Sequence, residues 1–138
     1  ADRGYPSPIQ PTKAACDADY DAAVAYLMDN IDIAALCCGS HNENSNENLA
    51  QLMKAKGVEP GDERIYFSQL LGMSDHISYT LAKAGYNVAK YVPYGPVREV
   101  IPYLIRRAEE NSSITGQTGR ELTLLLKELK RRADGEAD

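Results

Sequence analysis

Tyr103, Arg106, Arg107 and Glu110 stand at i, i+3, i+4 and i+7. At roughly 3.6 residues per turn, these positions share one face of a helix. Two adjacent guanidiniums repel unless an anion lies between or beside them, and each offers a planar fork suited to a carboxylate or phosphate. Glu110, one turn beyond Arg106, offsets part of that charge or accepts a hydroxyl. Tyr103 adds a flat apolar wall with a polar tip. The chemistry open to this face is the capture of a small anionic ligand. The same spacing also suits a solvated face with an i, i+4 ion pair, a common surface feature.

The elements that must position this face are a strand and a turn. Val88 to Val92 reads as a short buried strand, Pro93-Tyr94-Gly95-Pro96 as a turn, and the residues after it as a helix. Strand, turn and helix in that order close a β/α unit, whose polar residues collect where the strand hands over to the helix. Tyr91, near the strand end, reaches the same place as Tyr103. Pro102 leaves two starts open: near Val97, with a proline in the second turn, or near Ile101.

Two similar units come before it. Ile31 to Cys38 is an apolar run broken only by Asp32, as in buried parallel strands. Ser40-His41-Asn42 follows, then a helix capped by Asn44 with Glu47 three residues on, ending at Gly57. His41 and Asn42 thus sit where free N–H groups suit an anion such as a pyrophosphate, although such a pair also serves as an ordinary turn. Arg64 to Leu71 is the next strand. Gly72-Met73-Ser74-Asp75 closes it, with Ser74 or Asp75 as cap of a helix reaching Ala84. A helix over Asp17 to Met28 leads the series. Another over Arg120 to Arg132, with Leu122, Leu125, Leu126 and Leu129 on one face, ends it. Strands alternating with helices predict an α/β class with a parallel sheet.

Composition narrows the partners. The 138 residues are 43% hydrophobic, enough for one core. No run approaches the ~18 apolar residues of a membrane-spanning helix, and Ala1 to Ala14 holds no apolar leader segment. The net charge of −5 argues against nucleic acid. Charge is uneven, however: residues 86–133 hold 9 Lys/Arg against 5 Asp/Glu, which suits a small anion. Cys16, Cys37 and Cys38 are an odd set without Cys-x-x-Cys spacing. They favour a reducing compartment and indicate no metal site. The basic end of the last helix suits either solvent or an anionic membrane surface.

Tyr91-x-Pro93-x-Gly95 followed by Tyr103-x-x-Arg106-Arg107-x-x-Glu110-Asn111 resembles the last β/α unit of FAD-dependent proline dehydrogenases. Ser40-His41-Asn42 and Gln69-Leu70-Leu71-Gly72-Met73 resemble two earlier signatures of that family, in the same order. The resemblance covers nearly the whole chain. It implies that residues 1–138 are the C-terminal portion of a (β/α)8 barrel, about three β/α units with flanking helices. It also implies oxidation of L-proline to Δ1-pyrroline-5-carboxylate, with hydride passing to FAD and electrons to a quinone. Arg106 and Arg107 would clamp the proline carboxylate, and Tyr91, Tyr103 and Leu70 would enclose its ring. His41, Asn42, Glu110, Gln69, Thr12 and Lys13 would contact FAD. The motif details are similar to those of eukaryotic members, which implies the matrix side of the mitochondrial inner membrane, with a peripheral membrane contact. Two other readings accompany this one. The first is a hydroxyproline dehydrogenase. The second is a barrel fragment that acts only with the missing N-terminal half or an oligomer partner, since the family's earlier flavin-binding segments are not in this sequence.

Overall fold

Thr12 starts the first element. Its Oγ1 accepts the Ala15 amide N–H at 3.1 Å, so the helix begins at Lys13, four residues earlier than its apolar spacing indicates. The computed structural model describes residues 9–113 and 117–133, without the side chains of 110–113, 117–121 and 125. In order, the elements are α1 (Lys13–Asp29), β1 (Leu36–Gly39), α2 (Glu43–Ala55), β2 (Ile65–Leu70), α3 (Asp75–Lys83), β3 (Val88–Tyr91), α4 (Val97–Ser113) and α5 (Gln117–Ala133).

The alternation follows the sequence, and the boundaries shift for local reasons. The Ile31 to Cys38 run divides. The Ile33 N–H closes a turn on the Asn30 carbonyl at 3.1 Å, and the strand covers only Leu36–Gly39. The cap of α2 is Asn42 rather than Asn44, because Asn42 Oδ1 accepts the Asn44 N–H at 3.0 Å. α4 starts at Val97, so Pro102 lies inside it and leaves the Arg98 carbonyl without its usual i+4 donor.

All strand pairs are parallel, in the order β1-β2-β3. Sequence neighbours joined through a helix are therefore neighbours in the sheet. The register pairs Cys38 with Phe67, Phe67 with Val88, and Leu70 with Tyr91. Strand side chains alternate between the two faces. Leu36, Cys38, Ile65 and Phe67 point to one face and are buried under Val24 and Met28 of α1, Leu49 and Met53 of α2, and Ile77 and Leu81 of α3. Phe67 meets Tyr86 edge to face at 5.3 Å.

Away from the ends of β2 and β3, which α4 approaches, the opposite face is open among the described residues: Cys37 is exposed and Tyr66 is 42% exposed. A parallel sheet covered on one side only is uncommon, because β-α-β crossovers usually bring helices to both. α5 shows a related feature. Leu122, Leu126 and Leu129 are exposed, while Leu124, Glu128 and Arg131 are half-buried among the described residues. No helix among the described residues is long and apolar enough to cross a membrane.

α2, α3 and α4 each follow a strand of this parallel sheet. The N-termini of α2, α3 and α4 therefore gather at the carboxyl edge of the sheet with the turns that precede them. That edge carries the polar motifs.

Candidate active site at the carboxyl edge of the sheet

Leu70 and Tyr91 end their strands as register partners, so their side chains leave the same face of the sheet side by side. The turn after β3 then brings α4 over them. The Tyr103 ring lies 5.6 Å from that of Tyr91, and the Arg107 guanidinium sits 5.3 Å from the Tyr103 ring centroid. Together they enclose a cavity of about 310 Å³, whose lining also includes Gly72, Met73, Pro93 and Leu104. Four of the five residues assigned to substrate by sequence thus meet in one place. Arg106 does not join them in the lining; it is exposed on the same helix.

The cavity has the chemistry of a small-anion site. Leu70, Tyr91 and Tyr103 supply apolar and aromatic wall, and Arg107 supplies a fixed positive charge. A guanidinium beside an aromatic ring can present N–H donors suited to a planar acceptor. The volume lies at the small end of ligand pockets and suits a compact molecule.

Most of the described residues assigned to the cofactor sit in turns or at helix starts. His41 Nδ1 is 2.8 Å from Ser74 Oγ, which ties the β1–α2 turn to the β2–α3 turn. Asn42 caps α2, as described above. Thr12 caps α1, and Lys13 forms an ion pair with Asp17. The Glu110 side chain lies outside the described residues.

Gln69 faces away from the cavity. It sits one position before Leu70 on β2 and therefore points to the helix side, where it is 2% exposed. Its Nε2 donates to the Ser40 carbonyl at 3.2 Å and to Asn46 Oδ1 at 3.3 Å, and its Oε1 accepts from Ser78 Oγ at 2.8 Å. Asn46 Nδ2 donates to the carbonyls of Ser40 at 3.1 Å and Asn42 at 2.7 Å. This buried network holds the His41–Asn42 turn from beneath.

Sequence reasoning did not single out Asn46 or Ser78, or the pairing role of Ser74. Asn46 and Ser78 look like ordinary helix polar positions until the sheet sets Gln69 between them. Ser74 adopts a left-handed backbone, φ 51° and ψ 41°, while its hydroxyl meets His41. His76 pairs with Glu43 across the starts of α2 and α3, Nε2 to Oε1 at 2.9 Å. A larger cavity of about 470 Å³ lies between α3 and α5 and, among the described residues, shares only Gly72 with the first. Among the described residues, none of those assigned from sequence lines it.

Comparison with known proteins gives this geometry a context. The family model described as Proline dehydrogenase matches residues 1–120. The chain belongs to the proline dehydrogenase family. It is 48% identical over 132 residues to mitochondrial proline dehydrogenase 1 of Bos taurus, covering 94% of this chain and 22% of that protein. It is 42% identical over 134 residues to a hydroxyproline dehydrogenase of Xenopus laevis, covering 94% of this chain and 29% of that protein. Among solved structures it is similar to proline utilization A from Bdellovibrio bacteriovorus, a crystal structure of the protein inactivated by N-propargylglycine. The TM-score there is 0.72 at 31% identity, over 83% of this chain and 12% of that one. The chain thus spans about a fifth of the length of the Bos taurus proline dehydrogenase. As a segment of this oxidoreductase family, it carries the strand ends and the helix that build the cavity.

Proposed function

We propose that this segment forms the substrate side of an FAD-dependent proline dehydrogenase, which oxidises L-proline to Δ1-pyrroline-5-carboxylate and passes electrons to a quinone. The observation that carries the reading is the cavity joining Leu70, Tyr91, Tyr103 and Arg107. Proline is a five-membered apolar ring bearing a carboxylate. The ring fits between Leu70 and the two tyrosines. The carboxylate pairs with the N–H edge of Arg107, and Arg106, one residue earlier, adds positive charge to the clamp. None of the described residues in this lining is an obvious general base, and none is needed if proline binds as the neutral amine.

The donor set at the carboxyl edge fits a flavin nucleotide. His41 and Asn42 stand at the N-terminus of α2, where helix amides favour phosphate. Thr12 and Lys13 would face the adenosine end, and Glu110 the ribityl chain. Gln69 would act from beneath, through the network holding the His41–Asn42 turn. When bound, FAD supplies the hydride acceptor.

The sheet supports a further reading of the fold. Three consecutive parallel strands with helices on one side match a wall of a (β/α)8 barrel, with Cys37, Tyr66, Leu70 and Tyr91 toward its interior. On this reading residues 1–138 are its C-terminal part. The uncovered face also favours a second function: the segment acts only when the rest of the barrel, or a partner, covers it. Mitochondrial relatives support a mitochondrial location, and we place the protein at the matrix side of the inner membrane. Hydroxyproline as substrate would need one more polar contact near Tyr91.

A visible spectrum tests these readings together. The chain is incubated with FAD, desalted and treated anaerobically with L-proline, alone and joined to the remaining barrel. A retained flavin band that bleaches with proline supports the dehydrogenase. Retention only in the completed protein supports the fragment reading. Flavin that is retained there but is indifferent to proline overturns the proposed substrate.

A further inference from the structure

Lys90 has no place in the roles above, yet its contacts are specific. On β3 it is the register partner of Gln69 and shares the helix-side face. Its Nζ donates to the Met73 carbonyl at 2.7 Å and to Asp75 Oδ1 at 2.8 Å. The side chain is only 23% exposed. Partial burial of an ammonium group is offset by charge-assisted bonds such as these. Met73 belongs to the turn between β2 and α3, and Asp75 is the first residue of α3.

That turn is under conformational tension. Gly72 and Ser74 both have positive φ, 78° and 51°. A left-handed residue that is not glycine persists only where its surroundings over-determine it. His41 holds Ser74 from the β1 side, and Lys90 holds Met73 and Asp75 from the β3 side. Between these two restraints, Leu70, Leu71, Gly72 and Met73 form one wall of the cavity. Tyr91, the residue next to Lys90, begins the β3 side of the same cavity. Any slip of the turn against β3 therefore changes the width of the cavity.

We propose that Lys90 is a positioning residue for substrate binding: it ties the β2–α3 turn to the end of β3 and sets the spacing between the Leu70–Met73 wall and the Tyr91–Tyr103 wall. It does not touch substrate and acts through the turn. The inference rests on the reading of this cavity as the proline pocket.

The full-length protein carrying this segment is prepared as Lys90→Met and Lys90→Arg. Lys90→Met keeps the apolar stem and removes the charge. We expect KM for L-proline to rise about tenfold with kcat held within about twofold, the signature of lost ground-state fit. Amide hydrogen exchange at Gly72, Met73 and Ser74 should quicken in the same variant. Lys90→Arg should restore most of both, because its guanidinium reaches the same two oxygens. An unchanged KM in Lys90→Met overturns the proposal, as does a loss shared equally by kcat and stability that Lys90→Arg does not repair. If Lys90→Met fails to fold, Asp75→Asn weakens one of the two contacts and should raise KM in the same direction; no rise there overturns the proposal. A wild-type protein that does not oxidise proline sinks the functional reading instead, and the exchange rates at Gly72–Ser74 then still decide whether Lys90 holds the turn.

Discussion

The rings of Tyr91 and Tyr103 lie 5.6 Å apart at an interplanar angle of 56°, although one ends a strand and the other sits inside a helix. That contact docks α4 on the sheet and puts the Arg107 guanidinium over the edge of the cavity. It makes Tyr103 a test of the site. Tyr103→Ala removes both the wall and the cation–π contact, which is worth about 0.5–2 kcal/mol. KM for L-proline should rise by about tenfold or more, as steady-state kinetics will show. Tyr103→Phe keeps the ring and should stay within about threefold.

Arg107 should not tolerate lysine. An ammonium group can pair with a carboxylate, but it has no planar face to lay on Tyr103 and no fork to present. Arg107→Lys should weaken proline binding about a hundredfold, within the ~3 kcal/mol typical of a charge-assisted contact. Substrate titration of the flavin spectrum measures this directly. Full affinity in the lysine variant would mean that the carboxylate binds elsewhere.

Gln69 should matter for stability more than for chemistry. Gln69→Leu keeps the volume but deprives Asn46, Ser78 and the Ser40 carbonyl of one partner each. The expected cost is about 2–3 kcal/mol, read as a lower urea midpoint. Flavin affinity should fall with it, because the His41–Asn42 turn loses its support.

Ser74 separates backbone strain from hydrogen bonding. Ser74→Ala keeps the left-handed backbone and loses the bond to His41, so it should destabilise by about 1–2 kcal/mol. Ser74→Gly loses the same bond but relieves the strain, so its cost should be smaller by about 1 kcal/mol. Chemical denaturation of the two variants gives the ordering. An alanine variant as stable as the glycine one would show that the strain is not felt.

Asp62 sets an acid limit for the turn before β2. It accepts the Arg64 amide N–H at 3.0 Å, Nε at 2.9 Å and Nη2 at 2.6 Å. These bonds hold its carboxyl down to about 2, well below the ordinary carboxylate range. The folded value is the lower one, so the stabilising contribution is complete above about pH 4 and drains as pH falls through about 2. An NMR titration of the Asp62 carboxyl should find its midpoint near 2, and Arg64→Ala should return it toward the ordinary value.

Much of the site was legible because its pieces are local. The i, i+3, i+4 and i+7 spacing placed Tyr103, Arg106 and Arg107 on one helix before any fold was known. Tyr91 and Leu70 could be put at strand ends because apolar runs stop there. Gln69 could not be placed from its motif alone. It is adjacent to Leu70, yet the pleat of a strand sends adjacent side chains to opposite faces, so one lines the cavity and the other is buried among α2 and α3. Lys90 and Tyr91 divide in the same way.

By itself, the sequence determined the order of helices and strands, the parallel sheet and the cluster of polar turns at its carboxyl edge. These follow from apolar periodicity, caps and glycines, which act within a few residues. Only the tertiary structure decided which residues meet. The Leu70–Tyr91 register, the Tyr91–Tyr103 contact, the His41–Ser74 tie and the hold of Lys90 on the next turn all join residues far apart in the chain or on separate elements. Such contacts depend on how the sheet aligns its strands and which face the helices cover. Local spacing carries no information about either, because both are set by the packing of the whole core.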